Sequence, residues 1–427
     1  MNGLIIFGIL VALMLTGMPV SIALGLTVLS YLFAFTEVPI ESVGLKLFTG
    51  IEKFEIMAIP FFILAGNFLT HGGVARRMIN FATSMVGHYH GGLGLGAVFA
   101  CALFAAVSGS SPATVVAIGS ILLPAMVKQG FPARFGVGTI ASAGGLGILI
   151  PPSIVMVMYA VSTNSSIGAL FMAGVVPGLV LASMLLFTTW FRAWKYGYPK
   201  ERRATWAERL KAFRDSIWGL LLIVVVMGGI YSGIFTPTEA AAMSAVYAFI
   251  VAVFVYKDLK WKDVPKTLLA SANMSAMLLY IITNAILFSF LLTHENVPQA
   301  ISEWLLSNGL GTIGFLLAVN ILLLVMGNFM EPSSIILITA PILFPIAMKL
   351  GIDPIHFGVM ITVNMEIGMI TPPVGLNLYV ASGISKLGLS EMTVAVWPWL
   401  LTMLVFLVIV TYWPPLTIWL PRALGMM

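Results

Sequence analysis

Ser108-Gly109-Ser110-Ser111-Pro112 and Gly327-Asn328-Phe329-Met330-Glu331-Pro332 each interrupt a long apolar stretch, and similar signals follow both. The first leads to Leu123-Pro124, Phe135-Gly136-Val137 and Gly147-Ile148-Leu149-Ile150-Pro151-Pro152. The second leads to Phe344-Pro345, Phe357-Gly358-Val359 and Gly368-Met369-Ile370-Thr371-Pro372-Pro373. Pro112 and Pro332 are 220 residues apart, and Gly147 and Gly368 are 221 apart, as are Gly130 and Gly351. Matched, broken apolar segments in the two halves of a membrane chain point to the binding site of a secondary transporter.

Composition sets the frame. Hydrophobic residues make up 60% of the 427 and charged residues 9%, with a mean hydropathy of +1.05. A soluble domain carries roughly 25% charged residues, so this is an integral membrane protein with room for about ten spans of ~20 residues. The net charge of +5 does not indicate nucleic acid, because the basic residues sit in loops between apolar runs. The single cysteine, Cys101, excludes an intrachain disulfide and a cysteine metal cluster. Residues 3–16 follow no basic segment and read as part of the first span rather than a cleaved signal.

The pattern predicts spans at 2–16, 20–35 and 56–70, with an interfacial segment at 37–55. Residues 92–107 and 112–127 are short and meet at the first break, so they read as two arms of a re-entrant hairpin. Residues 134–162 are broken at Gly144-Gly145 and at Pro151-Pro152, and 168–191 form a further span. The second half repeats this with spans at 217–233, 238–256 and 266–292, arms at 311–326 and 332–348, a broken span at 355–381, and a last span near 394–411. The loop 192–214 holds Arg192, Lys195, Lys200, Arg202, Arg203, Arg209, Lys211 and Arg214, which places it in the cytoplasm. Threading the spans from there leaves 17 of the 21 Lys and Arg inside, while the outer loops carry Glu37, Glu41, Glu295, Glu303 and Asp353. Five spans and one hairpin per half make the halves antiparallel. The fold expected is an all-α polytopic membrane protein with inverted repeats, two re-entrant hairpins and two discontinuous helices.

Unwound backbone in hydrocarbon costs several kcal/mol per unpaired group unless protein, water or an ion satisfies it. Two tips facing two broken helices therefore make a polar chamber. Helices starting at Ser111-Pro112 and Pro332-Ser333 aim positive dipole ends at it, which suits an anion. The candidate substrate contacts are Ser108, Ser110, Ser111, Thr114, Ser153, Ser333 and Thr371. Carbonyls, hydroxyls and carboxylates around Ser108, Ser142, Gly144, Gly145, Gly147, Gly327, Asn328, Glu331, Asn364, Glu366 and Gly368 form the candidate Na⁺ region, with Ser334 beside it. Packing by small residues is the alternative for a lone Gly-Gly; the duplicated constellation favours a site. Glu331 and Glu366 could instead carry protons. Glu239, after Thr236-Pro237-Thr238, reads as a helix cap.

Other signals are structural. His88 and His90 have metal-like spacing but no acidic or cysteine partner nearby. Trp190, Trp194, Trp206, Trp218, Trp397, Trp399 and Trp413 read as interface belts. No phosphate-binding nucleotide motif occurs, and nothing indicates an enzyme.

With these residues in view, the chain resembles the large membrane subunit (DctM-type) of tripartite ATP-independent periplasmic, or TRAP, transporters. The resemblance rests on Ile59-Pro60-Phe61-Phe62-Ile63-Leu64-Ala65-Gly66, Ser108-Gly109-Ser110-Ser111-Pro112-Ala113-Thr114, Gly147 to Ser153, and Asn364 to Gly375. It implies an elevator-type ion-transporter-like fold in the bacterial inner membrane. It also implies Na⁺ symport of a carboxylated solute such as sialic acid or a C4-dicarboxylate, with no cofactor beyond the coupling ion. The implied partners are a small four-helix membrane subunit, bound in a 1:1 complex, and a periplasmic solute-binding protein, bound transiently. The implied division is moving units at 92–165 and 311–385 against a scaffold of the remaining main spans, at 1–91 and 216–310, with the span and basic connection at 166–215 and a last span in 386–427. A proton-coupled or partner-independent organic-anion carrier is the alternative, with a non-transporting structural subunit behind it.

Overall fold

The computed structural model describes residues 2–36, 38–307, 311–372 and 375–427. Glu37, and Pro373 and Val374 of the second break, lie outside these. No strand occurs among the described residues, and nine helices there are long and apolar enough to cross a membrane.

The first half opens with α1 (Asn2–Leu15) and α2 (Val20–Phe35), parted by Gly17 and Pro19, then α3 (Ile40–Ile51). α4 (Ala58–His71) and α5 (Val74–Val86) lead to α6 (Gly92–Ser108) and α7 (Ser111–Lys128), which meet at the first break. Next come α8 (Ala133–Ala143), α9 (Leu146–Leu149) and α10 (Ile154–Thr163), then α11 (Ile167–Lys195). The second half runs α12 (Trp206–Tyr231), α13 (Pro237–Ile250), α14 (Val264–His294) and α15 (Val297–Ser307). It continues with α16 (Thr312–Gly327), α17 (Pro332–Lys349), α18 (Pro354–Gly368), α19 (Leu376–Ser385), α20 (Leu389–Tyr412) and α21 (Pro415–Ala423). Proline sets several starts, at Pro112, Pro237, Pro332 and Pro354, where its missing N–H would have had no intrahelical partner. Glu239 forms a capping box with Thr236, accepting from the Thr236 N–H at 2.8 Å, as the cap reading expects.

The halves exchange partners. α7 packs on α19 and α17 on α10, while α2 packs on α14 and α13 on α4. In each pair the second contact is the first with the halves swapped. The same holds for α8 with α20 and α18 with α11. Such reciprocity is what an internally repeated chain produces, and it buries α8, α9, α10 and α18.

Three features depart from the sequence reading. Gly144 and Gly145 are not unwound: both have right-handed helical angles, and Gly147 and Ile148 donate to their carbonyls at 3.0 and 3.1 Å. The helix only tightens there, and the break lies at Ile150–Ser153. These glycines are needed for size, since a β-carbon would collide with Val115 at Gly144 and with Glu366 at Gly145. Trp399 is not interfacial. It is fully buried, and its indole donates to Thr189 Oγ1 at 2.9 Å where α20 meets α11. Finally, α5 and α21 lie outside the apolar runs because each has one polar face, which a search for continuous apolarity passes over.

Candidate functional site

Each tip is built by local necessity. Gly109 ends α6 in the left-handed region (φ 62°), where a side chain would add strain. Ser110 is extended and caps α7, and its carbonyl accepts from both Thr114 N–H and Thr114 Oγ1, the latter at 2.8 Å. Ser108 and Thr114 share a hydroxyl hydrogen bond of 2.9 Å. These two hydroxyls therefore knit the first turn.

Each tip then docks on the broken helix of its own half. Gly109 O accepts from Ile154 N–H at 3.4 Å, and Asn328 O accepts from Gly375 N–H at 3.4 Å. The chain approaches itself so closely that only glycine fits. A β-carbon on Gly147 would lie 2.6 Å from Ser110 O, and one on Gly368 would lie 2.7 Å from Gly327 Cα.

Both tips border one cavity of about 290 Å³. Gly109, Ser110, Ser111 and Pro112 contribute from the first, and Glu331, Pro332 and Ser333 from the second. Met274, Met277 and Leu278 of α14 close one side. The N-terminal turns of α7 and α17 thus reach the same space, joining two positive dipole ends. Of the candidate substrate contacts, Ser110, Ser111 and Ser333 line it, as does Glu331 of the candidate Na⁺ region. Ser108 and Thr114 lie behind the first tip. Ser153 instead caps α10, donating to Ile148 O at 2.6 Å, and Thr371 donates to Ile367 O at 2.7 Å. Glu331 accepts from Ser334 Oγ at 3.2 Å.

A second group of polar residues lies on α8, α18 and α19. Glu366 is fully buried, and neither carboxylate oxygen has a hydrogen-bond partner among the described residues. Its Cγ would lie 2.5 Å from a β-carbon on Gly145. Ser142 Oγ, Asn364 Oδ1, Asn377 Oδ1 and, at the second tip, Asn328 Oδ1 are buried and unpartnered in the same sense. Buried oxygens are normally satisfied. A set of orphaned oxygen acceptors is the donor type a hard cation takes.

Asn377 and Asn320 are absent from the sequence candidates. Asn377 Nδ2 donates to Ser111 Oγ at 2.7 Å and to Ala141 O at 3.2 Å, tying the second broken helix to the first tip. Asn320 Oδ1 accepts from Asn364 Nδ2 at 2.9 Å. The signal that could have found them is an amide residue within an apolar helix, since such groups seek partners inside the protein. We expect Asn377→Ala and Ser111→Ala each to lower stability by about 1–3 kcal/mol. The double variant should fall short of the sum by about 0.5 kcal/mol or more. Thermal unfolding of the purified variants measures this, and strict additivity would refute the cross-half bond.

The profile of the family described as "Tripartite ATP-independent periplasmic transporter, DctM component" matches residues 7–416. The C4-dicarboxylate TRAP transporter large permease protein DctM of Rhodobacter capsulatus is 71% identical, covering 100% of both chains. The protein of the same name in Pseudomonas aeruginosa is 54% identical over 95% of each chain. The sialic acid TRAP transporter large permease protein SiaM of Vibrio cholerae is 36% identical, covering 98% of this chain and 97% of its own. The solved structure of the Alcanivorax borkumensis YdaH transporter, at 17% identity, superposes with a TM-score of 0.63 over 88% of this chain and 90% of its own, a likeness of fold.

Proposed function

The chain belongs to the DctM family of tripartite ATP-independent periplasmic transporters and is a multi-pass protein of the bacterial inner membrane, and from that premise we propose that it imports a small dicarboxylate by Na⁺ symport. The observation that carries this is the joint cavity: two helix N-termini and three serines converge on it, and α8, α18 and α19 carry buried oxygens without partners among the described residues. The dipole ends and the Ser110, Ser111 and Ser333 hydroxyls would hold carboxylate oxygens. Na⁺ would offset the charge of Glu366 and take up the orphaned oxygens of Ser142, Asn364 and Asn377. A cavity of about 290 Å³ is at the small end of ligand pockets, which favours a C4-dicarboxylate over the larger sialic acid. The 71% identity to a relative named for C4-dicarboxylates supports the same choice.

In this reading α6–α7 and α16–α17 are re-entrant hairpins, and 92–165 with 311–385 move as an elevator against α2, α4, α13 and α14. We place α11 and α20, which the resemblance gave to the scaffold, with the moving units, because they pack on the broken helices. A small four-helix subunit, bound in a 1:1 complex, would anchor the stationary helices, and a periplasmic binding protein would deliver solute transiently. The test is uptake of radiolabelled succinate by proteoliposomes holding the chain with both partners. An inward Na⁺ gradient should raise the initial rate by more than about tenfold. Uptake indifferent to Na⁺ would remove the coupling assignment, and uptake driven by a pH gradient alone would select the proton-coupled reading that the buried Glu366 also accommodates.

A further inference from the structure

A second cavity, of about 270 Å³, is walled by three helices that also wall the first, α10, α14 and α17. On α14 the wall passes from Met274 and Leu278 at the tips to Ala285 and Ser289 here. On α17 it passes from Ser333 to Leu337 and Pro341, and on α10 from Val155 to Ser162. These steps are four, seven or eight residues, so each helix keeps one face toward both cavities. At 1.5 Å per residue the two lie roughly 10 Å apart.

The distribution of charge places this second cavity on the outer side. α14 starts at the lysine-rich 257–266 segment, so its far end is outside. Only Lys46, Lys53, Lys349 and Arg422 remain outside in that topology. Arg422 is already paired with Asp353 at 3.7 Å. Lys46 and Lys53 both border the cavity, and neither forms an ion pair among the described residues. Lys53 Nζ donates to Asn164 Oδ1 at 2.6 Å and to Val161 O at 3.0 Å, at the end of α10. Lys46 Nζ sits 5.4 Å from the centre of the Phe290 ring. Ser289 adds a hydroxyl, while Thr49 and Ser162 donate theirs to Leu45 O and Met158 O.

We propose that this cavity is an outer carboxylate-binding station, in which Lys46 and Lys53 hold the solute before it reaches the tips. The proposal rests on the import of a dicarboxylate inferred above. Two unpaired ammonium groups beside hydroxyls match a solute with two carboxylates. On a face otherwise depleted of Lys and Arg, they are the local positive charges available to an arriving anion at this cavity. An arriving carboxylate competes for Lys53 with the end of α10. Binding there therefore loosens a tie between the α3–α4 segment and a broken helix.

The first measurement needs no transport. The complex with its membrane partner, in phosphatidylcholine nanodiscs, is treated with a water-soluble amine-acylating reagent, and lysines are quantified by mass spectrometry. Succinate at ten times its dissociation constant should slow labelling of Lys46 and Lys53 by roughly tenfold and leave Lys260 and Lys262 unchanged. Sodium chloride of equal ionic strength and the neutral dimethyl ester should protect neither. Protection by added phosphatidylglycerol but not by succinate would identify a lipid headgroup and overturn the proposal, as would no protection at all. The second measurement is uptake. Lys46→Gln and Lys53→Gln should each raise the apparent KM by about tenfold, the equivalent of 1.4 kcal/mol, with the maximal rate held. Lys53→Arg should restore it. An unchanged KM in both Gln variants would overturn the station. A wild-type complex that takes up no dicarboxylate would defeat the import reading, while the labelling result would still decide whether the lysines bind carboxylate.

Discussion

Replacement of Glu366 by Gln is expected to reduce Na⁺-driven uptake by roughly 100-fold or more, while the protein remains folded. The reason is the burial of this carboxyl on α18 with both oxygens unpartnered among the described residues. A buried charge stripped of its counter-charge costs about 3–5 kcal/mol, and each 1.4 kcal/mol is a factor of ten. If Na⁺ supplies the missing counter-charge, the amide keeps the shape and removes the attraction. Stability should therefore hold or rise when Na⁺ is absent, and the stabilisation by added Na⁺ expected of the parent should vanish. Thermal unfolding with and without Na⁺, beside uptake, measures both. A variant that keeps parental uptake and parental Na⁺ stabilisation would remove Glu366 from the coupling site. If the parent instead runs on a pH gradient, loss of that dependence in Glu366→Gln would assign the residue to proton transfer.

Valine at Gly368, and separately at Gly147, should have the next largest effect. Gly368 faces Gly327 so closely that its β-carbon would lie 2.7 Å from Gly327 Cα, and that of Gly147 would lie 2.6 Å from Ser110 O. Both obstacles are backbone, which cannot swing aside as a side chain would. Overpacking of this kind costs about 1–3 kcal/mol, and most of it falls on the docking of tip against broken helix. Uptake should fall by roughly 10- to 100-fold. Alanine, with less to accommodate, should fall between. Valine at Gly383, where nothing lies within 4 Å of an added β-carbon, is the control and should transport normally. Equal activity in all of these would mean that the tips do not dock as described.

The paired breaks are legible because they violate a strong rule. Hydrocarbon tolerates no unpaired backbone, so Ser108–Pro112 and Gly327–Pro332 stand out against apolar surroundings. Their repetition 220 residues apart identifies the halves and the helix starts at Ser111 and Pro332. Ser110, Ser111 and Ser333 can be chosen because they lie at those starts. Ser153 and Thr371 follow from the same logic, yet their hydroxyls serve local helix carbonyls. Hydroxyl-bearing residues beside a break look alike whether they face a cavity or bond to their own turn, because both uses need the same atoms at the same spacing.

The sequence alone determined the membrane class, the repeat and the places where helices must stop, since each follows from local hydropathy and from backbone that hydrocarbon cannot leave unpaired. Only the tertiary structure decided which of these segments meet. It placed Asn377 on Ser111 across 266 residues of chain, Glu366 against Gly145, and Lys53 at the end of α10. It also converted Gly144-Gly145 from a break into a contact. These are long-range approaches set by the packing of the two halves. A Gly or Asn looks the same in sequence whether it bends the backbone, fills a gap or reaches a partner, and the partner alone distinguishes them.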